Sequence, residues 1–230
     1  MPSKRRSEFH VADFDESKLK HIGGLKRRGL MLALSSPSGA GKTTMTRRLL
    51  ELDPDVLLSV SATTRAKREG EEHGKHYFFN SVEEFQKMVA ERELLEHTKY
   101  QGNYYGTPRA PVMEALEKGQ DVVFDMDTNG VEQVAAFARE DLVSVFILPP
   151  SLEEMEQRLR TRATDTDEVI QKRLQNAGKE IAHYDKYDYV LINRDLEDSM
   201  YKLRTILGAE RMKRTRLRGF HDFVRRLTKV

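Results

Sequence analysis

Cysteine is absent from all 230 residues. That excludes a disulfide framework and any thiolate-held metal, and it fits a reducing, cytoplasmic location. Long apolar runs are missing too. None approaches the ~20 residues that a membrane-spanning helix needs, so no membrane partner is expected. The opening MPSKRRSEFH is charged and has no apolar h-region, which argues against a secretory signal. There are no internal repeats and no low-complexity tracts. A strong overall charge is also lacking, since the chain carries only +2. The distribution is uneven, with net +4 over residues 1–28, net +7 over 211–230 and about −9 over 29–210. Basic ends can address nucleic acid or an anionic membrane, but they are more often a solvated surface, and nucleic acid is not the partner expected here.

With 38% hydrophobic and 33% charged residues, a globular chain is expected. Residues 1–28 read as a flexible basic extension ending in GGLKRRG. From Leu30 onward, strand-like and helix-like stretches alternate. LMLALS, VLLSVS (56–61), DVVFDMD (121–127), LVSVFIL (142–148) and YVLIN (189–193) are candidate strands. The longer ones are continuously apolar, as in strands covered on both faces. Met45, Leu49 and Leu52 fall at helical spacing after Lys42. Ser81 with Glu84, and Ser151 with Glu154, have the spacing of capping boxes. The pattern predicts an α/β fold, with a parallel sheet between two helical layers. Residues 60–107 break the alternation. They are polar and rich in Gly, Tyr and Thr, with short strand-like pieces HYFF, LLEHTKY and NYYG, and they read as an inserted β-rich lobe.

The stretch SSPSGAGKTT follows the first strand and opens a helix. It nearly matches the phosphate-binding pattern G-x-x-x-x-G-K-[ST], with Ser36 in place of the first glycine. Small residues let backbone N–H groups turn toward phosphate oxygens, and the helix N-terminus adds partial positive charge. Lys42 would reach the β- and γ-phosphates and Thr43 would hold Mg²⁺. Ser36 is compatible with the loop if its φ is negative.

A second cluster lies in the inserted lobe. Arg65 and Arg68 suit phosphate oxygens, and the phenols of Tyr77 and Tyr105 can add hydrogen bonds. Glu96 is an acid near an anion site. A carboxylate there can accept two adjacent N–H groups, such as N1–H and N2–H of guanine, while Ser61 and Thr107 donate to its O6. Taken singly, each of these residues is more often a solvated surface group.

The set SSPSGAGKTT, SATTRAKREGEEHGKHYFF, GNYYGT, DMDTNG and KRLQNA, in this order across roughly residues 30–210, resembles the guanylate kinase family of P-loop nucleoside monophosphate kinases. The resemblance implies a three-layer P-loop core with a parallel sheet, an inserted GMP-binding lobe (about 60–110) and a helical lid (about 151–180) within a domain spanning 29–210. It implies transfer of the ATP γ-phosphate to GMP with Mg²⁺. On this resemblance, Ser36, Pro37, Ser38, Gly39, Ala40, Gly41, Lys42, Thr43 and Thr44 bind ATP, with Asn193 near the adenine. Arg65, Arg68, Tyr77 and Tyr105 hold the GMP phosphate, and Glu71 supports that lobe. Ser61, Glu96, Thr107 and Asp127 surround the guanine. Asp125 joins Thr43 at the metal, and Arg158, Arg162 and Arg173 act with Lys42 in catalysis.

The chemistry suits such a site, because phosphoryl transfer depends on positioning and charge neutralisation rather than on a covalent step. The attacking phosphate is already ionised, so no general base is assigned. Asn129–Gly130 replaces the family's frequent Gln–Gly, and Ala163 replaces a frequent Gly after the second lid arginine. Some relatives of this kind are peptide-binding scaffolds with degraded sites, but here Lys42, Thr43 and the lid arginines are all present. Residues 211–230 read as a basic C-terminal helix or tail. Leu217, Phe220, Val224 and Leu227 would form an apolar stripe on it, packing on the body or on a second subunit, which leaves a homo-oligomer open.

Overall fold

The structure, a computed structural model, describes residues 25–161 and 166–228. The first 24 residues of the expected basic extension, and Arg162 and Ala163 of the lid, lie outside the described residues.

The central sheet is built from β1 (Met31–Ser35), β2 (Val56–Leu58), β7 (Asp121–Asp125), β8 (Leu142–Leu148) and β9 (Tyr189–Ile192). Its order is β2-β7-β1-β8-β9, and every pairing is parallel. β1 is central and fully buried, and its side chains alternate between two cores as the two-residue period of a strand requires. Leu32 and Leu34 face α1 (Lys42–Leu52) and α7 (Leu196–Arg211), packing with Met45, Leu49, Leu203 and Leu207. Met31 and Ala33 face α3 (Arg109–Glu117) and α4 (Thr128–Ala138), packing with Leu116, Phe124, Val131 and Val134. The three-layer α/β architecture follows from this alternation.

The inserted lobe is a second sheet in the order β4-β3-β6-β5. Its strands are β3 (Ala62–Thr63), β4 (Phe78–Phe79), β5 (Leu94–Tyr100) and β6 (Asn103–Pro108), and α2 (Val82–Ala90) covers it. Phe85, Ala62 and Leu94 form its own small core. Ser81 and Glu84 do make a complete capping box at the start of α2. The lid helices, α5 (Leu152–Thr161) and α6 (Asp167–Ile181), enclose a separate cluster of Met155, Leu159, Ile170 and Ala177. Here the expected capping box is only half made. Ser151 accepts the Glu154 N–H at 3.2 Å, but the Glu154 carboxylate turns to Arg158 instead.

The N-terminal edge of the sheet is held by buried ions. Asp121, wholly buried at the start of β7, accepts two bonds from Arg27 (2.6 and 3.0 Å), one from Arg211 Nε (2.7 Å) and one from the Leu30 N–H (2.9 Å). Arg211 also meets buried Asp53 at 2.7 Å. Its guanidinium is held above the usual range, because Asp121 and Asp53 outweigh the cost of burial. Nearby, Tyr189 donates to Glu210 at 2.7 Å, and that bond and burial push the phenol up to about 12.

Beside this cluster, residues 26–28 are tied to residues 216–218. Arg27 bridges Leu217 in antiparallel fashion, Arg28 N–H bonds Arg216 O, and Arg218 N–H bonds Lys26 O, each of these two bonds at 2.8 Å. Residues 25–28 are therefore docked on the body. Four C-terminal cations, Arg211, Lys213, Arg216 and Arg218, face carboxylates of the same chain. Of the helix or tail read over 211–230, the structure shows an α-helix only from Phe220, set off from α7 by a turn. α7 ends at Arg211, the chain turns through Gly219 (φ 69°), and α8 (Phe220–Thr228) starts afresh. Leu217 belongs to the bridge, and Leu227 on α8 is 67% exposed, so the stripe is not buried on the body.

Removing one member of a buried ion cluster strands the others. Asp121→Ala is expected to lower unfolding stability by about 3–5 kcal/mol in urea titration. A loss below about 1 kcal/mol would mean that water already reaches the cluster.

Candidate active site

The loop between β1 and α1 lies at the C-terminal edge of the sheet, where open α/β sheets bind ligands. Its positive φ values fall on Gly39 (90°) and Gly41 (99°). Among the described residues, Arg92 and Gln101 are the non-glycines with positive φ. The backbone at Ser36 thus makes no demand that only glycine meets, and serine is an acceptable entrance to the loop. Gly39 is needed twice over, because a Cβ there would stand 3.1 Å from Leu159 and 3.3 Å from Met155 of the lid. Helix α1 starts at Lys42 with no side-chain cap and no acidic residue in its first turn. Its N-terminal N–H groups and partial positive charge are left for an anion.

Two cavities meet at this loop. The larger, about 940 Å³, is lined by Ser36, Pro37, Ser38, Lys42 and Thr43 on one side and by Ser61, Tyr77, Glu96 and Tyr105 of the lobe on the other. Asp125 and Asp127, at the end of β7, form its floor. The second, about 780 Å³, lies between the loop, the lid helix α5 and the β9–α7 link, and Thr44, Arg158 and Asn193 are among its walls. Gly39 and Gly41 line both.

Lys42 pairs with Asp125. Burial pulls its ammonium down to about 8, against the fields of Asp127 and Glu180, which raise it. Asp127 caps α4, accepting the Gly130 N–H at 2.8 Å. In the lobe, Arg65 makes a two-pronged pair with Glu71 at 2.7 and 3.1 Å, and Glu71 also accepts the Arg68 N–H at 2.8 Å. The Arg65 bond is the main reason that the Glu71 carboxyl is held down at about 2. The Arg65 guanidinium stands 5.3 Å from the centre of the Tyr77 ring, and Tyr77 meets Tyr105 edge-on at 6.3 Å. Arg65, Tyr77 and Tyr105 are thus brought together, with Arg68 exposed at the rim.

Glu96 is raised above the ordinary carboxyl range by burial, opposed by its bond from Thr107 and assisted by Asp127. Thr107 Oγ1 donates to Glu96 at 2.6 Å. The sequence reading gave that proton to a base oxygen; the structure uses it to aim the carboxylate. On the lid, Arg158 bonds Glu154 and, at 3.0 Å, the Asn193 carbonyl, while Arg173 donates to Ser38 Oγ at 3.0 Å. Arg162 is outside the described residues. Asn193, expected near the adenine, is only 5% exposed; its side-chain amide bonds Ala40 and Ser199 within the protein, and the residue lines the smaller cavity.

Sequence reasoning missed Glu180, which lines the larger cavity and whose carboxyl is raised by burial against the lowering field of Lys42. A signal was present, because Glu180 lies seven residues after Arg173, two turns along the same face of α6. The hard-oxygen donors Thr43 and Asp125 share this cavity with Asp127 and Glu180. Among the described residues no three carboxylates or histidines gather into a metal cage, so a cation here would take few protein ligands and complete its shell with water and phosphate oxygens, as a hard divalent ion such as Mg²⁺ does.

Comparison with known proteins agrees with this geometry. The guanylate kinase family model matches residues 28–210. The curated guanylate kinase of Paramagnetospirillum magneticum is 57% identical over 203 residues, 88% of this chain and 95% of that protein. That of Zymomonas mobilis is 54% identical, covering 88% and 94%. The crystal structure of guanylate kinase from Anaplasma phagocytophilum matches with a TM-score of 0.69 at 38% identity, over 87% of this chain and 96% of that one. The match extends from the phosphate loop through the lobe and lid to the end of α7, and the chain belongs to the guanylate kinase family.

Proposed function

We infer that this protein transfers the γ-phosphate of ATP to GMP, giving ADP and GDP. One observation carries the reading: two cavities share the phosphate loop, and the larger is walled opposite Lys42 by the half-buried Glu96 and the Tyr77–Tyr105 pair. In this reading the smaller cavity takes the adenosine, with Thr44 at its wall. The phosphates lie along Ser36, Pro37, Ser38, Gly39, Ala40 and Gly41. GMP enters the larger cavity with its phosphate toward Arg65, Arg68, Tyr77 and Tyr105 and its base edge toward Glu96, Ser61 and Asp127. Glu71 holds Arg65 in place, and Thr107 holds Glu96.

The transferring group carries charge on three oxygens, and the protein's work is to neutralise and align it. Lys42 is placed for that at the junction of the cavities. Arg158 and Arg173 approach from the lid, and Arg162 joins them in this proposal. Mg²⁺, held by Thr43 and Asp125, would neutralise phosphate charge and fix the geometry of the chain of phosphates. Water must be kept out to prevent ATP hydrolysis, and closure of lid and lobe would do so. Each has a core of its own, so each can shift without disrupting the central one. Among the described residues no helix is long and apolar enough to cross a membrane.

The direct test follows ADP release with ATP and Mg²⁺ and with GMP, AMP, UMP or CMP in turn. Turnover with GMP alone is expected; equal turnover with AMP would reject the assignment. Lys42→Ala is expected to lower kcat roughly 10²–10³-fold with an unchanged circular dichroism spectrum, as for loss of one preorganised charge donor. Glu96→Gln replaces an acceptor of two N–H groups with a mixed donor–acceptor. The ratio of GMP to AMP turnover should fall by at least about tenfold, and an unchanged ratio would move the base edge elsewhere.

The depressed Lys42 also sets a pH dependence. The free enzyme holds the ammonium below about pH 8 and loses it above. Bound phosphates favour the charged form and lift that pKa. Hence kcat/KM for ATP should decline as pH rises through about 8, while kcat at saturating ATP holds to higher pH. Parallel declines in both would assign the titration to another group.

A further inference from the structure

Asn193 follows β9 and is a junction of four elements. Its N–H bonds Leu148 O at the end of β8 at 2.8 Å. Its carbonyl accepts Arg158 of the lid at 3.0 Å. Its Nδ2 donates to Ala40 O in the phosphate loop at 2.8 Å, and its Oδ1 accepts from Ser199 Oγ of α7 at 3.0 Å. The orientation of the amide follows from the partners. Ala40 O can only accept, so Nδ2 must face it, and the Ser199 hydroxyl must then donate to Oδ1. Ser199 is wholly buried, so this bond is shielded from competing water.

The consequence lies one bond further on. A trans peptide is planar, with its C=O and N–H pointing in opposite directions. Holding the Ala40 carbonyl outward against Asn193 turns the Gly41 N–H inward, to the concave side of the loop where phosphate oxygens lie. Gly41 itself is constrained by the same contact. Its φ is 99°, and a Cβ there would come within 2.4 Å of Asn193 Nδ2. The bare glycine therefore serves the amide's approach as well as the left-handed backbone, and it immediately precedes Lys42.

We propose that Asn193 is a positioning residue for the phosphate loop, with Ser199 fixing the orientation of its amide. It sets the Ala40–Gly41 peptide and the start of α1 before ATP arrives. The assignment rests on the reading of this loop as the ATP site, and it gives Asn193 a role through the loop rather than against the base.

The test uses two variants of the full chain. Asn193→Asp keeps size and the acceptor for Ser199 but turns an oxygen toward the Ala40 carbonyl; the main-chain link to Arg158 is retained. Ser199→Ala leaves the amide in place but removes what orients it. The measurements are ADP affinity by calorimetry without GMP, KM for ATP and for GMP, and thermal unfolding. For Asn193→Asp, ADP Kd and ATP KM should rise roughly 10–100-fold, the scale set by a small misplacement of a positioning group, while GMP KM stays within about twofold. Ser199→Ala should move the same quantities in the same direction by about threefold or more. If ADP affinity is unchanged in the folded variants, or if ATP and GMP constants rise together with a lowered Tm, the proposal is overturned. Should Asn193→Asp fail to fold, Ser199→Ala decides by the same criteria. ADP binding is read without GMP, so a wild type that bound ADP but left GMP unphosphorylated would fail the functional reading and not this one.

Discussion

Everything at this site depends on the common direction of five parallel strands. In an all-parallel sheet every strand ends on the same edge, and each following loop is delivered there. β1 delivers the phosphate loop, β7 delivers Asp125 and Asp127, β8 leads into the lid, and β9 delivers Asn193. Residues more than 150 positions apart in the chain, such as Ala40 and Asn193, thereby share a hydrogen bond. The central place of β1, buried between the two cores, fixes where the phosphate loop begins.

The second constraint is electrostatic. A site intended for several phosphates collects cations, and without phosphate those cations need other partners. Lys42 is matched with Asp125, Arg65 with Glu71 and Arg158 with Glu154. The carboxylates do not act alike. Glu71 grips Arg65 by both prongs within the lobe, whereas Glu154 and the Asn193 carbonyl hold Arg158 at the lid's base. Burial works against charge at Lys42, Glu96 and Glu180 alike, and Lys42 and Glu180 each offset part of that cost for the other.

Much of the fold was legible because its signals are local. The phosphate loop is a contiguous motif between a strand and a helix, and the continuous apolar runs of β1, β7 and β8 announce a sheet covered on both faces. The polar, Tyr- and Gly-rich segment after β2 marks the inserted lobe. What was not legible is assembled from distant, individually ordinary residues. Asp53, Asp121 and Arg211 look like surface charges in sequence and are buried together. Nothing near Asn193 in sequence indicates Ala40 or Ser199's part in fixing the amide. The break between α7 and α8 was hidden by a regular apolar spacing that ignored Gly219, and the pairing of Leu217 with Arg27 depends on a segment nearly 200 residues away.

The antiparallel contact of residues 26–28 with 216–218 sits beside Asp121, at the beginning of β7, while the nucleotide cavities open beyond Asp125 at its other end. A five-residue strand spans only about 13 Å, yet it puts the whole central sheet between the chain ends and the chemistry. Residues 26–28 and 216–218 lie side by side at the edge of the sheet away from the cavities. A substitution in this contact, at 26–28 or 216–218, therefore alters the far edge of the sheet without changing a residue that lines either cavity.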